Sequence, residues 1–344
     1  MTDPLALETY DYHLPEELIA QHPCQPRENS RLLRLDRNSG LIEHLSFRQI
    51  VDLVHPDDVL VLNDSRVIPA RLFAHKDSGS QVELLLLHEL SPGVWQCMMR
   101  PGKRVKEPQW LKVSDTMRAH VSLSDEDGLR QVRFETDGDF WQELEKVGHI
   151  PLPPYIKRED QLQDRNSYQT VYANQPGSAA APTAGLHFSP QIISALQGRG
   201  VQIVKLTLHV GMGTFLPVKS QRIDQHKMHA EFCTIDPQSA ATINQARSAG
   251  RRIIAVGSTS ARTLESFYNG KEIEAGSRWT DIFIYPGKTM QVVDAMITNF
   301  HLPKSSLLMM ISAFAGIDNV RRAYEEAVRL RYRFFSYGDA MLIE

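Results

Sequence analysis

One apolar run in the sequence leads directly into side chains that can exchange protons or bind anions. Residues 58–63 have the pattern of a buried strand, and Asp64, Ser65 and Arg66 follow it without a break. Open α/β sheets carry their ligands and reactive groups beyond the carboxyl ends of the strands. A carboxylate at that place suits general acid–base work or pairing with a polar substrate. Asp64 is therefore the first candidate for chemistry.

Four later loops place small and polar residues next to a strand or at the start of a helix. They are 180–188, 207–215, 256–265 and 298–306. Glycine and alanine let the backbone approach a ligand closely, and N–H groups at a helix start bind carboxylate or phosphate. Tight loops packed on a sheet and ordinary helix caps have the same composition. Each loop alone therefore supports either interpretation.

Several familiar catalytic patterns are missing. Gly211–Gly213 is a GxG after a strand, but Leu216 stands where a dinucleotide-binding loop has its third glycine. No GxSxG element for a serine nucleophile occurs. His226, His229 and Glu231 lack the helical HExxH spacing and an evident further ligand, so we predict no metal site.

The bulk composition is that of a packed globular protein. The 344 residues are 42% hydrophobic and 23% charged, enough for one large domain or two ordinary ones. No run reaches the roughly 18 apolar residues of a membrane span, and the acidic start lacks a signal-peptide pattern. The three cysteines are scattered, as expected for free thiols in a reducing compartment. We therefore expect a cytoplasmic protein.

The net charge of −3 does not mark the whole chain as a nucleic-acid binder. Binding to phosphates needs a local cluster of cations. The densest such run is Arg100, Lys103, Arg104 and Lys106. It is either a solvated loop or the place where RNA phosphates bind.

Strand patterns and helix patterns alternate along the sequence. This alternation predicts an α/β fold with a mostly parallel sheet and helices on both faces. A hairpin is predicted at 32–45. Helices are predicted at 189–197, 236–250, 258–268, 305–314 and 318–331, and strands at 201–209, 252–256, 281–285 and 292–297.

Residues 70–154 have a different pattern. Short strands separated by Gly, Pro and Asp turns are predicted at 81–88, 94–100, 119–123 and 129–135, with one helix at 139–147. This spacing is typical of a small all-β sandwich or barrel. We predict a barrel-like domain at 70–154, inserted between the two parts of an α/β catalytic domain, 1–69 and 155–344.

Eight collinear segments together resemble one family, the S-adenosylmethionine:tRNA ribosyltransferase-isomerases. They are LVLNDSRVIPARL (60–72), GHIPLPPYI (148–156), YQTVYA (168–173), AAPTAGLHF (180–188), LHVGMGTFLPV (208–218), TDIFIYPG (280–287), ITNFHLPKSSLLMMISAFAG (297–316) and YRFFSYGDAMLI (332–343). The chain departs from the family pattern at Ser65 and Ser258, which replace Thr, and at Ala261, which replaces Val. Both hydroxyls are kept.

The resemblance implies that S-adenosylmethionine, as co-substrate, donates its ribosyl group to 7-aminomethyl-7-deazaguanine at the wobble position of a tRNA. Adenine and methionine leave, and the product base is epoxyqueuosine, an intermediate of queuosine. It implies no permanently bound cofactor, and we expect a monomer.

The site residues are assigned by motif membership and residue type. The catalytic candidates are Asp64, His187, His209, Glu231, Asp281 and His301. The candidates for binding S-adenosylmethionine are Gly185, Gly211, Gly213, Thr259, Ser260, Arg262, Asn299 and Lys304.

The chemistry suggests roles for these groups. Carboxylates can act as bases or accept hydrogen bonds from the deazaguanine edge. The helix start near Ser258 can hold the methionine tail. For each histidine a structural role is an equal alternative. Arg66, Arg71, Arg262 and Lys304 are candidates for the donor carboxylate or RNA phosphates, and Phe188, Phe215 and Tyr285 are candidates for stacking on the base.

Two rival functions remain open at this point. A conventional methyltransferase or dehydrogenase is disfavoured by the missing glycine pattern. A non-catalytic RNA-binding module needs a basic face and aromatic platforms, but not four polar loops at strand ends.

Overall fold

Seventeen strands and eight α-helices are formed by the residues that the computed structural model describes, which are 3–125, 128–211, 213, 218 and 220–344, with the side chain of Arg104 excepted. The strands are β1 (Arg31–Leu35), β2 (Ile42–Ser46), β3 (Val59–Asn63), β4 (Ser65–Val67), β5 (Arg71–His75), β6 (Gln81–Ser91), β7 (Val94–Arg100), β8 (Gln109–Lys112), β9 (Met117–Ser124), β10 (Arg130–Thr136), β11 (Gln175–Ser178), β12 (Gln202–Leu208), β13 (Glu231–Ile235), β14 (Ile253–Val256), β15 (Gly276–Thr280), β16 (Ala295–Asn299) and β17 (Ala340–Ile343). The helices are α1 (Ile50–Leu53), α2 (Phe140–Val147), α3 (Asp164–Ser167), α4 (Pro190–Gly198), α5 (Pro237–Ser248), α6 (Gly257–Phe267), α7 (Ser306–Ala315) and α8 (Ile317–Arg329).

A nine-stranded sheet in the order β15-β13-β12-β3-β14-β16-β17-β1-β2 forms the body of the molecule. β12, β3, β14 and β16 are mutually parallel, and β17 pairs in parallel with β1. The other four pairings are antiparallel. The prediction of an α/β fold is confirmed, but the prediction of a mostly parallel sheet is wrong.

The antiparallel pairs arise where no crossover helix separates two strands. No α-helix lies between β12 and β13 in the described part of that connection, so the chain can turn back beside itself. β17, which the sequence patterns did not predict, runs antiparallel to β16. Residues 281–285, expected to be a strand, are not one: β15 ends at Thr280, and Phe283 and Ile284 pack into the core as part of a loop.

The sheet is covered on both faces, which explains why its central strands are continuous apolar runs. Val59 and Val61 of β3 belong to the core that α5, α6, α7 and α8 cover. Leu60 and Leu62 point to the opposite face, where α1 and α4 pack. Because successive side chains of a strand point to opposite faces, β3 contributes to two separate cores.

The predicted small all-β unit is a closed six-stranded barrel in the order β10-β7-β6-β5-β8-β9. It has a core of its own around Trp95 and Leu84, which Leu144 of α2 completes. Asp139 caps α2 by accepting a hydrogen bond from the Gln142 N–H at 2.9 Å. The barrel meets the body where the His88 ring lies 4.9 Å from the Trp279 ring at the edge of the sheet.

No helix in the described residues is long and apolar enough to cross a membrane.

Candidate active site

One edge of the nine-stranded sheet collects the predicted polar strand ends. The carboxyl ends of the parallel strands lie there, together with the start of β13 and the end of β15, which are antiparallel neighbours. In strand order the edge carries Asp281 after β15, Glu231 in β13, His209 after β12, Asp64 after β3, Gly257 after β14 and Asn299 in β16. Because strands lie about 4.8 Å apart, these six positions extend over roughly 24 Å. Different parts of a large ligand, rather than one point of it, would contact them.

A cavity of about 760 Å³ lies between this edge and the barrel. His209, Gly211, Glu231 and Trp279 line it from the sheet side. The barrel contributes residues of β6 and β7, and α2 contributes Trp141. Trp279 and Trp141 are 51% and 38% exposed, so the walls present large aromatic surface to solvent. Such a cavity has the size and the mixture of apolar walls and few polar groups found in ligand sites.

Glu231 is the best-anchored carboxylate in the cavity. Its Oε2 forms a buried ion pair with the Arg262 guanidinium, and its Oε1 accepts a hydrogen bond from the Gly211 N–H at 2.9 Å. Arg262 Nε also donates to the Ile282 carbonyl at 3.3 Å, and its Nη2 is buried without a partner in the described residues. The Nη2 amino group, with its two N–H donors, is therefore available to a ligand.

His209 faces the cavity with a free ring nitrogen. Its Nδ1 is buried and has no hydrogen-bond partner among the described residues. Burial lowers the pKa of His209, so the ring is neutral at pH 7. An added Cβ at Gly177 would lie 3.2–3.3 Å from ring atoms of His209, so this glycine makes room for the imidazole.

Asp64 lies beside His209 on the next strand. Its Oδ1 accepts a hydrogen bond from Thr207 Oγ1 at 2.8 Å, and its carbonyl accepts one from the Asn174 N–H at 2.7 Å. Burial raises the pKa of Asp64, while the Thr207 hydroxyl opposes the shift. A carboxylate with a raised pKa is a stronger base than a free one.

His187 is instead held inside the protein at both ring nitrogens. Thr183 Oγ1 donates to Asn299 Oδ1 at 3.0 Å, which directs the Asn299 amide N–H to His187 Nε2, also at 3.0 Å. His187 Nδ1 must then carry the proton that it shares with Ser30 Oγ at 2.7 Å. Burial lowers the pKa of His187 to about 3, aided by Arg333 and Arg27.

His301 and Lys304 lie beyond β16, away from the cavity lining. His301 Nε2 is 2.8 Å from Thr298 Oγ1, and burial lowers the His301 pKa to about 3. The Lys304 ammonium pairs with Glu8 at 2.9 Å and Asp11 at 3.0 Å. These contacts connect the N-terminal segment to the loop after β16.

Three further predicted residues lie after β15, in α6 and in the connection after β12. Asp281 is exposed, one residue before the Ile282 carbonyl that Arg262 contacts. The Ser260 hydroxyl donates to the carbonyl of Val256, the last residue of β14, at 2.8 Å. No atom of the described residues lies within 4 Å of the position that a Cβ of Gly213 would take.

Two of the three expected stacking residues belong to the described part of the chain, and neither lines the cavity. Phe188 is fully buried, 5.0 Å from the Phe47 ring, and Tyr285 packs 5.0 Å from Phe283. Phe215 lies outside the described residues. The exposed rings at the cavity are Trp141 and Trp279, which no motif singled out.

Comparison with known proteins gives a consistent result. A family model described as "Queuosine biosynthesis protein" matches residues 7–343. A protein of Heliobacterium modesticaldum named S-adenosylmethionine:tRNA ribosyltransferase-isomerase is 51% identical over 97% of this chain and 98% of its own length. A protein of the same name from Desulfitobacterium hafniense is 49% identical over 98% of this chain and 100% of its own length.

The chain belongs to the queuosine biosynthesis protein family.

A solved relative supports the same assignment. The crystal structure of S-adenosylmethionine tRNA ribosyltransferase from Thermotoga maritima is 39% identical, covers 98% of this chain and all of its own, and aligns with a TM-score of 0.57. The resemblance to this family inferred from the motifs is thereby confirmed.

Two residues of the cavity wall were missed by motif reasoning within this family. Trp141 and Trp279 are separated by more than a hundred positions and line the same cavity only because the barrel folds against the sheet edge. Among the described residues, no three His, Cys, Asp or Glu side chains gather as a metal site.

Proposed function

We propose that this chain transfers and isomerises the ribosyl group of S-adenosylmethionine onto 7-aminomethyl-7-deazaguanine at the wobble position of tRNA. The product is epoxyqueuosine, and adenine and methionine are released. The observation that carries the proposal is the cavity between the barrel and the sheet edge, with His209, Gly211 and Glu231 in its wall. Curated relatives that are about half identical over nearly the whole chain bear the name of this activity.

The topology favours the start of α6 as the site of S-adenosylmethionine. After β3 the chain passes to α4 on one face of the sheet, whereas after β14 it passes to α6 on the other. Ligands of open α/β sheets bind at such a switch point. No side chain of the described residues caps the first turn of α6, so the N–H groups near Thr259 remain available to a carboxylate.

This placement puts the ribose near Asp64 and His209. The sulfonium acidifies the adjacent C5′ hydrogens, and Asp64, a carboxylate of raised pKa, accepts one of them. The protonated carboxyl can then supply the proton that the departing adenine needs. His209 is neutral and accepts the proton of the acceptor ammonium, which must be uncharged to attack.

The cavity accepts the nucleobase. A wobble base lies in an unpaired loop and can be extruded into a pocket. Trp141 and Trp279 offer exposed rings for stacking, and the Glu231 carboxylate can accept the N1–H and exocyclic amine of a guanine-like edge. The basic run on the barrel is proposed to contact the anticodon stem. Arg100, Lys103 and Lys106 are exposed, and the side chain of Arg104 lies outside the described part of the chain.

The proposal further includes a monomeric cytoplasmic enzyme, with S-adenosylmethionine as co-substrate and no permanently bound cofactor.

The test uses S-adenosylmethionine labelled in the adenine and in the methyl group, with tRNA carrying or lacking the aminomethyl base. We expect free adenine and labelled methionine in equal amounts, only with the modified tRNA. Asp64→Ala and Glu231→Ala should each lower turnover about 10²-fold or more. Methyl label on the tRNA would instead show a methyltransferase, and tRNA binding without adenine release would show an RNA-binding module.

A further inference from the structure

Buried hydroxyls without partners gather at the switch point of the sheet. Ser65 Oγ, Thr170 Oγ1, Tyr172 Oη and Thr259 Oγ1 are all buried, and none has a hydrogen-bond partner in the described part of the chain. Ser65, Thr170 and Thr259 are 0%, 4% and 9% exposed as whole residues. Because more than nine in ten buried polar groups in native proteins are hydrogen-bonded, a local excess of unpaired ones indicates a polar ligand.

Two glycines show that the Tyr172 hydroxyl and the methyl group of Thr170 lie against one short segment, Thr183–His187, and that this segment also lies near Thr259. A Cβ at Gly185 would overlap Tyr172 Oη and lie 2.8 Å from Thr170 Cγ2. A Cβ at Gly257, the first residue of α6, would lie 3.5 Å from Ala184 Cβ and 3.7 Å from Thr259 Oγ1. Since Ala184 and Gly185 are consecutive, the Tyr172 and Thr170 side chains adjoin the start of α6.

The charge of the surroundings favours an anion. Burial lowers the pKa of His187, two residues from Gly185, and the positive charges of Arg333 and Arg27 lower it further, so two cations lie near this segment. Burial raises the pKa of Tyr172, Arg27 lowers it, and the Asp64 carboxylate after β3 raises it. Arg27 is held in place by donating to the Gln169 and Asn166 carbonyls at 3.0 and 3.3 Å.

We propose that Thr170, Tyr172 and Thr259, with the N–H groups at the start of α6, form a subsite for the carboxylate at the amino-acid end of S-adenosylmethionine. The inference rests on the proposed function, because that function supplies the ligand. Three hydroxyl donors and free helix N–H groups match a carboxylate, which accepts only. The segment 168–173 thereby acts as a binding element for the co-substrate.

The decisive variants are Tyr172→Phe and Thr170→Val, which remove one hydroxyl each and keep the shape of the side chain. We expect each to raise the KM for S-adenosylmethionine about 10-fold or more at saturating tRNA, with the KM for tRNA unchanged. The thermal midpoint without ligand should stay level or rise, because an unsatisfied buried hydroxyl is removed. Thr259→Val should behave in the same way.

Matched controls come from hydroxyls that are already paired. Thr263→Val removes a hydroxyl that donates to the Thr259 carbonyl at 2.9 Å. Tyr268→Phe removes a hydroxyl that donates to the Gly270 carbonyl at 2.9 Å. Neither should change the KM for S-adenosylmethionine. This comparison separates loss of a ligand contact from a general disturbance of α6 or of an aromatic packing position.

The decarboxylated analogue of S-adenosylmethionine identifies the group that is bound. As an inhibitor it should bind the wild-type protein about 10-fold or more weakly relative to S-adenosylmethionine, and Tyr172→Phe should shrink this preference. Unchanged KM values in folded Tyr172→Phe and Thr170→Val, or an analogue preference that survives both, would overturn the subsite while wild-type adenine release continues. If the wild type releases no adenine, the proposed function has failed instead.

Discussion

At the residue scale, the structure separates histidines that the sequence leaves equivalent. His187, His209 and His301 all follow strands in polar loops, but His187 uses both ring nitrogens on protein partners, whereas Nδ1 of His209 has no described partner. The difference comes from residues far away in the sequence, such as Ser30 and Asn299, which reach His187 only through the fold. Residue type and motif membership carry no information about such partners.

The two buried histidines predict a loss of stability in mild acid. The pKa of His187 and His301 is lowered to about 3 in the folded protein, below the value of 6.5 for an exposed histidine. Between these values the unfolded chain binds protons that the folded chain does not. Their stabilising contribution is therefore complete above pH 6.5 and is lost as the pH falls toward 3.

Urea unfolding at pH 7.5 and pH 5 measures this loss. We expect the free energy of unfolding to fall by about 2 kcal/mol for each of the two histidines. The His187→Gln variant should lose about half of the pH dependence, whatever its overall stability. Equal free energies at the two pH values in the wild type would contradict the assignment of both rings as neutral and buried.

We predict that the buried ion pair of Glu231 and Arg262 affects the free energy of unfolding and the activity in ways that variants can separate. Arg262→Met leaves a buried carboxylate unpaired and should cost about 3–5 kcal/mol of unfolding free energy. Arg329→Met, which breaks an exposed pair with Glu326 at 2.6 Å, should change stability little. Urea unfolding of both variants tests the contrast.

A double replacement sharpens this prediction. In the double variant Glu231→Leu/Arg262→Met, neither charge of this pair is buried any longer. Most of the lost unfolding free energy should therefore return. Adenine release should nevertheless stay at background, because the cavity has lost its carboxylate. Activity in a stable double variant would show that the pair serves the fold alone.

At the element scale, the sequence predicts most helices and strands because their boundaries carry local signals. Ser189 and Asp236 cap α4 and α5, with proline at the first position of each helix, as the sequence pattern indicated. Strand direction is different, since it depends on which neighbours a strand finds. The antiparallel position of β17 beside β16 has no local signal, and this is why the sheet was expected to be mostly parallel.

The loop between β7 and β8 is an element whose position depends on one buried arginine. Arg130 of β10 donates from Nη2 to the Gly102 and Val105 carbonyls at 3.1 and 2.8 Å, and from Nη1 to the Ser122 carbonyl at 2.7 Å. Lys103 and Lys106 of this loop are exposed, as is Arg100 at the end of β7.

Charge removal on this loop should alter the salt dependence of tRNA binding. We expect Arg100→Gln, Lys103→Gln and Lys106→Gln each to reduce the slope of log affinity against log salt by about one unit per lost phosphate contact. Lys271→Gln is the control, because Lys271 precedes β15 and lies toward the opposite edge of the sheet. Slopes equal to that of the wild type would show that the loop is only solvated surface.

At the scale of the whole molecule, the candidate site exists only through assembly. Motifs in the sequence located the strand ends, and parallel strands necessarily bring their carboxyl ends to one edge. The cavity itself also needs the barrel, because Trp141 and the residues of β6 and β7 line it together with Trp279 of the sheet. Long-range packing of this kind leaves no pattern in a single sequence, so half of the cavity wall could not be predicted.

A crystal structure with S-adenosylmethionine and an anticodon stem-loop carrying the aminomethyl base would show directly whether both ligands bind at this edge of the sheet. We expect the base against Trp141 and Trp279 with its edge on Glu231, and the methionine carboxylate at the start of α6 beside Thr259. Electron density for both ligands elsewhere, with the cavity filled only by solvent, would contradict this expectation.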